Sequence, residues 1–109
     1  MRVLIESDPE FVSSVTVEFE ADPGAAVTPT EPATDLTEQR FGLAEAAAII
    51  VIVKGVFEII EVVKRVVRRS KKKQTLRLKS ALATVVVEIS PDVTAEELQD
   101  LLAPLTQLP

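Results

Sequence analysis

One apolar and basic stretch, residues 43–69, constrains the fold of this chain more than any other feature. Charged residues recur in it at steps of four, three, four and three, which at 100° per residue places them on one narrow helical stripe. They are Lys54, Glu58, Glu61, Arg65 and Arg68. Valines and isoleucines occupy the remaining arc, as a helix that faces a core requires. The spacing therefore predicts one long helix.

The amino-terminal half of this stretch is apolar on nearly every side. Leu43, Ala47, Ile50 and Val51 continue the stripe that the charged residues occupy further on. A helix without a polar face is normally buried on both sides. The alternative is a buried strand over 48–53, because short runs rich in β-branched residues are ambiguous by periodicity alone.

Two other segments alternate between apolar and polar residues, as half-buried strands do. The first, residues 1–20, predicts a β-hairpin with side chains such as Val17 and Phe19 on its buried side. The second, residues 74–90, predicts another hairpin. Residues 21–34 hold three prolines and a glycine, so we expect a loop or linker between the first hairpin and the helix.

The end of the chain, residues 94–105, is predicted to form a short helix. Thr94 and Glu97 have the spacing of a capping box, in which each residue binds the backbone N–H of the other. Together the elements predict an α+β fold in a single domain, residues 1–109. We expect two layers, a four-stranded antiparallel sheet of two β-hairpins packed on one long central helix over 35–70, with the short C-terminal helix beside them.

Composition excludes several kinds of catalytic site. The chain has no cysteine and no histidine, which excludes the usual structural zinc sites and any Ser-His or Cys-His nucleophile pair. Carboxylates that share a surface, such as Glu18 with Glu20 and Glu96 with Asp100, have no companion residue that indicates a pocket. We therefore predict a protein that is not an enzyme, with no catalytic, cofactor-binding or metal-binding residues.

Charge is arranged in blocks beneath a net charge of −5. Residues 1–45 carry ten acids and two bases, residues 46–80 carry ten bases and two acids, and residues 81–109 carry five acids and no base. Such blocks either pair within the fold or face partners of opposite sign. We expect internal pairing, for example Arg77 facing Glu18 across strands of the sheet.

The basic run at the end of the long helix has three interpretations. Cations there interact favourably with the negative end of the helix dipole. They could also contact an anionic membrane surface, with the apolar helix half lying in the interface. Nucleic-acid binding is disfavoured, because no aromatic residue is interleaved with the run. The residues that could contact an anion are Lys64, Arg65, Arg68, Arg69, Lys71, Lys72 and Lys73.

The predicted elements differ in length, and this difference predicts a partner surface. A helix over 43–69 would be about 40 Å long, whereas strands of six or seven residues span about 20 Å. The overhanging part would expose an apolar patch of the kind that marks association surfaces. We therefore expect a protein–protein interaction module that forms a homodimer or binds a helix of a partner protein. Its predicted interface is Leu43, Ala46, Ala47, Ile50 and Val51.

The carboxyl-terminal part resembles the small effector-associated domains found beside bacterial proteases, caspase-like enzymes and other conflict-system effectors. The resemblance covers about residues 60–105, from VVKRVVRR to TLRLKSALATVVVEISPDVTAEELQDLLAPL. It is one of pattern: a helix, a short hairpin, and a helix opened by a Thr-x-Glu-Glu cap. It implies an adaptor that recruits or clusters a separately encoded effector by like-with-like contacts, and it supplies no functional residue.

The amino terminus and the apolar stretch bear on location. Met1-Arg2 leads directly into a strand-like sequence, so no secretory signal is expected. The uncharged run at 46–53 has eight residues, against about 20 that a helix needs to span a bilayer. The sequence therefore predicts a cytoplasmic protein without a membrane-spanning helix.

Overall fold

The structure, a computed structural model, describes residues 1–30 and 47–106. These residues form five strands, three helices and a final 3₁₀ turn. In chain order they are β1 (Arg2–Ser7), α1 (Pro9–Glu20), β2 (Ala26–Thr30), β3 (Ala47–Ile52), α2 (Val56–Ser70), β4 (Gln74–Lys79), β5 (Thr84–Ile89), α3 (Ala95–Leu102) and the turn Ala103–Leu105.

The five strands form one sheet in the order β2-β3-β1-β4-β5, and every neighbouring pair is antiparallel. β1 lies at the centre, with Ile5 opposite Ile49 of β3 on one side and Leu78 of β4 on the other. The chain contains two β-α-β units, β1-α1-β2 and β3-α2-β4. In each unit the two strands are parallel and a third strand lies between them in the sheet. This split β-α-β arrangement is the ferredoxin-like topology, here extended by β5 and α3. The topology establishes a fold and no activity.

The α+β class is confirmed, but the prediction of four strands on one long central helix is wrong. Residues 47–52 form the inner strand β3, and the helix begins only at Val56. The inner-face residues Ile49 and Val51 lie under the helices, and on the opposite face Ala48 is buried and Ile50 is partly buried. Val51 has no exposed surface, and Ala48, on the opposite face of the sheet, is also buried. A strand covered in this way shows a continuous apolar run instead of alternation.

The predicted first hairpin is also wrong, because residues 9–20 form the helix α1. Asp8 accepts a hydrogen bond from the Glu10 backbone N–H at 2.8 Å, and Pro9 occupies the first turn, where a missing N–H has no cost. Val17, which the alternation placed inside, is 60% exposed, while Phe19 is fully buried. The buried side of α1 follows helical spacing.

The other predicted elements have three different outcomes. β4 and β5 form the hairpin expected over 74–90, and α3 forms within the expected 94–105. The capping box is present: the Glu97 N–H donates to Thr94 Oγ1 at 3.1 Å and the Thr94 N–H donates to Glu97 Oε1 at 3.1 Å. β2 lies within the predicted linker 21–34. Predictions for 31–46, including the start of the long helix, lie outside the described residues.

The helices cover one face of the sheet and enclose the core. Strand side chains on this face, here called the inner face, pack against the apolar sides of α1, α2 and α3. The largest fully buried apolar side chains of this core are Phe19, Ile5, Ile59, Ile60, Leu76, Leu78, Ile89, Leu98, Leu102 and Leu105. The opposite face of the sheet, here called the outer face, is therefore where exposed side chains of the strands are found.

Candidate functional site

The outer face carries apolar side chains that the helices do not cover. Strand register places Leu4 of β1 opposite Ile50 of β3, and Arg2 opposite Ile52. Ile52 is 50% exposed, and Val86 on β5 is 58% exposed. These two residues are three strands apart, with Arg77 and Glu6 between them, so they do not form one apolar patch.

A buried ion pair lies near the centre of the outer face. Glu6 of β1 is directly opposite Arg77 of β4, and the Arg77 guanidinium donates a hydrogen bond to Glu6 Oε1. Glu6 is only 2% exposed. The predicted pairing of Arg77 with Glu18 is therefore wrong, because Glu18 lies on α1. Because both charges are largely removed from water, the loss of one would leave the other buried without a compensating charge.

β5 is the outermost strand at one end of the described sheet, and one of its edges pairs with no other described strand. The Ser80 N–H donates to the Ala83 carbonyl at 2.9 Å, so these two residues form a hydrogen-bonded pair. Opposite residues along the β4–β5 ladder then alternate between non-hydrogen-bonded and hydrogen-bonded pairs, starting from this one. Thr84, Val86 and Glu88 therefore direct their N–H and C=O groups away from β4. Within residues 1–30 and 47–106, these groups have no backbone partner beyond the strand. β5 contains no proline and is rich in β-branched residues, so its edge is suited to pairing.

The opposite edge, formed by β2, differs in chemistry. Met1 and Val53 exchange both backbone hydrogen bonds, at 2.7 and 2.8 Å. This pair determines which residues of β3 direct their N–H and C=O groups toward β1 and which direct them toward β2. Ile50 therefore bonds toward β2, and the residues of β2 that face outward are Val27 and Pro29. Proline has no N–H to donate, so this edge retains a single outward donor within the strand. Of the two edges of the described sheet, β5 therefore has three outward donors and β2 has one.

The residues predicted to contact an anion do not form one uniform patch. Arg65 and Arg69 both bind the Glu18 carboxylate of α1, with N···O distances of 2.7 and 3.5 Å. Lys73 binds Glu88 of β5 at 3.3 Å. Within the described part of the chain, no ion pair involves the other four predicted residues, Lys64, Arg68, Lys71 and Lys72.

The link between Glu18 and Arg65 gives a prediction for acid pH. The hydrogen bond from Arg65, followed by the charge of Arg69, holds the pKa of the Glu18 carboxyl below its ordinary value of 4.5. A carboxyl whose pKa is lowered by folding stabilises the folded state above pH 4.5, and this contribution is lost as the pH falls through the lowered pKa. We expect Arg65→Met to move the Glu18 pKa upward in an NMR titration. Arg68→Met is the control, and equal Glu18 titrations in both variants would contradict the assignment.

A shallow groove of about 570 Å³ lies between α1 and α2. Its lining is mixed in charge: Glu18, Ala21, Asp22, Phe57, Glu58, Glu61, Val62 and Arg65. Glu58 Oε1 accepts from the Lys54 N–H at 3.3 Å, while its Oε2 is shielded from water without a partner in the described chain. Arg65 is already held by Glu18. Among the described residues, no group of three or more acidic side chains is arranged to hold a metal.

The three described residues of the predicted partner interface do not lie on one surface. Leu43 and Ala46 lie outside the described residues. Ala47 and Val51 face the helices, and Ile50 faces the outer side of the sheet. Residues 47–52 form a strand, so the predicted overhanging helix does not extend over them.

Comparisons with known protein families, with curated proteins and with solved structures found no match to this chain. No helix in the described ranges has both the length and the apolar character needed to cross a bilayer. Function is therefore argued from the geometry of the outer face and of the β5 edge.

Proposed function

We propose that the chain is a non-enzymatic protein-interaction module that binds an extended protein segment along the edge of β5. The supporting observation is that the outward backbone groups of Thr84, Val86 and Glu88 have no partner within residues 1–30 and 47–106. An antiparallel segment can form about two hydrogen bonds with each of these residues. Strand addition to an exposed sheet edge is a common way in which protein domains bind peptides.

Backbone pairing alone gives modest affinity. About six hydrogen bonds at roughly 0.5–1.5 kcal/mol each contribute about 3–9 kcal/mol. Association costs about 4–15 kcal/mol in lost freedom of motion. Side-chain contacts must therefore supply the difference, and the exposed Val86 on the outer face and the half-buried Val85 on the inner face are placed to supply them. We expect a segment with apolar, β-branched residues at alternate positions.

The other functional hypotheses have less support. Membrane association required an apolar helical arm next to the basic run, and residues 47–52 are an inner strand instead. Nucleic-acid binding required a continuous basic surface, while Arg65, Arg69 and Lys73 are paired with acids. The resemblance to effector-associated domains fits the proposal, because strand addition is one form of like-with-like contact.

A synthetic strand tests the proposal directly. The probe is a peptide of sequence ATVVVEIS, residues 83–90, with N-methyl groups at the positions of Val85 and Val87 so that only one edge can pair. We expect it to slow amide hydrogen exchange at Thr84, Val86 and Glu88. The control peptide carries N-methyl groups at all five positions from Thr84 to Glu88, which blocks both of its edges.

Either of two results would contradict the proposal. One is equal protection by the two peptides, since contact would then not depend on backbone pairing. The other is that the probe gives no protection at millimolar concentration, since the edge would then not accept a strand.

A further inference from the structure

We infer that the segment accepted by β5 is the β5 strand of a second copy, paired antiparallel about a two-fold axis at Val86. This inference rests on the proposed function and names the partner. The joined sheets would form one continuous sheet, with the helices of both copies on the same side.

The hydrogen-bonding pattern of β5 is complementary to itself in this register. A two-fold axis at Val86 places Val86 opposite its own copy and Thr84 opposite Glu88 of the second copy. All three residues direct their N–H and C=O groups outward, so all three pairs are hydrogen-bonded. Sliding one strand by a single residue would place outward-facing groups opposite inward-facing ones. An axis at Val85 or Val87 would keep outward-facing groups paired but would leave only two hydrogen-bonded pairs within the strand. A shift to an axis at Glu88 would place two like charges opposite each other.

Charge also favours this register. Lys79 is opposite Thr84 in the β4–β5 ladder, and Thr84 would be opposite Glu88 of the second copy. Lys79 and that Glu88 would then lie two strands apart, about 10 Å between Cα atoms, on the outer face. Their long side chains can meet across this distance, where Lys79 would join Lys73, which already binds Glu88 within its own chain at 3.3 Å. Such an exposed pair contributes more to register and specificity than to affinity.

The two edges of the sheet predict a closed dimer and not a polymer. In each copy, one edge of the described sheet has three outward donors, and that edge is used in the pairing. The remaining edges are both β2, where Pro29 removes one of the two outward donors within the strand. An interface that uses the same surface on both copies closes after two subunits. With a small contact and no large apolar centre, we expect a dissociation constant of roughly 1 µM to 1 mM.

Sedimentation of the full chain from about 10 µM to 1 mM measures the dimer. Val86→Pro removes an outward N–H without removing a bond to β4, so we expect a folded monomer. Val27→Pro is the matched control, because it removes the outward N–H of the β2 edge. We expect that variant to dimerise as the natural chain does. Circular dichroism checks that both variants are folded.

A charge exchange tests the register. Lys79→Glu and Glu88→Lys each place like charges together across the two-fold axis, so each is expected to weaken the dimer about 3- to 10-fold, or up to about 1.4 kcal/mol. A mixture of these two variants restores opposite charges at both contacts. We therefore expect the mixed dimer to be tighter than either variant alone, with the difference decreasing in high salt.

Several outcomes would overturn the inference. The natural chain could remain a monomer at 1 mM, Val86→Pro could dimerise unchanged, or the mixed charge variants could show no preference. If the chain is monomeric but the strand probe protects Thr84, Val86 and Glu88, only the identity of the partner is wrong. If the probe also fails, the proposed function fails with it.

Discussion

Val51→Glu is expected to unfold the protein, while Ile50→Glu is expected to leave it folded. Val51 lies on the inner face of β3 with no exposed surface, and Ile50 is a partly exposed neighbour on the outer face. A fully buried carboxyl can have its pKa raised by 3–5 units. At 1.36 kcal/mol per unit, burying the ionised carboxylate then costs about 4–7 kcal/mol of folding free energy. Domains of this size have about 5–15 kcal/mol of stability in total.

Thermal and urea unfolding followed by circular dichroism measure the difference between the two variants. Val51→Ala is the matched control, since it removes apolar contacts without burying charge and should cost only about 1.5–3 kcal/mol. If Val51→Glu is as stable as Ile50→Glu, the alternation of β3 between two faces is wrong. A long helix with an exposed apolar half predicts that both glutamate variants are folded, so this pair separates the two folds.

The carboxyl-terminal third could be predicted because its signals are local. The capping box of Thr94 and Glu97 determines where α3 begins, and the two residues are only three apart. The β4–β5 hairpin alternates clearly, because its inner-face residues Leu76 and Leu78 are buried while Lys79 is exposed. Neither element depends on knowing which distant segment lies beside it.

The amino-terminal half contains signals that conflict. Val15, Val17 and Phe19 alternate as in a strand, but Asp8 and Pro9 have the pattern of a helix N-cap followed by a first-turn proline. The cap indicates the correct structure, since α1 buries Val15 and Phe19 and exposes Val17. Giving the cap more weight than the alternation would have predicted this helix.

β3 could not be assigned from its own residues. Eight uncharged residues suit a buried helix and a buried strand equally well, and the choice depends on β1 and β2 lying on either side. The argument from helix length then failed, because it began from a 27-residue helix and α2 has 15 residues. Burial of both faces of a strand is a tertiary property that a single short run does not encode.

The candidate site is harder to predict than the fold for the same reason. A strand is an edge only with respect to the order of the whole sheet, so the free groups of Val86 follow from the position of β5 at one end. Pro29 at the opposite edge is a usable signal, because proline in a strand indicates an edge. Glu6 and Arg77 are 71 residues apart in the chain. No local pattern connects them.

Arg77→Met is expected to destabilise the protein by about 3–5 kcal/mol, because it leaves the Glu6 carboxylate buried without its cation. Glu6 is 2% exposed, so water cannot replace the lost partner without structural change. Urea unfolding should show a lower midpoint with an unchanged slope, as for a change in stability alone. Lys79→Met on the same strand is the control, because Lys79 is exposed and has no ion pair among the described residues.

Removing both charges shows whether the ion pair adds net stability or whether each charge only offsets the cost of burying the other. Replacing a buried pair by apolar residues of similar size is often neutral or stabilising, since the cost of desolvating both charges disappears. We therefore expect Glu6→Leu combined with Arg77→Met to recover most of the stability lost in Arg77→Met alone. If the double variant is as unstable as the single one, the ion pair stabilises the folded protein more than the apolar side chains that replace it. Recovery together with tighter self-association would instead indicate that the pair keeps the centre of the outer face polar and limits non-specific contact there.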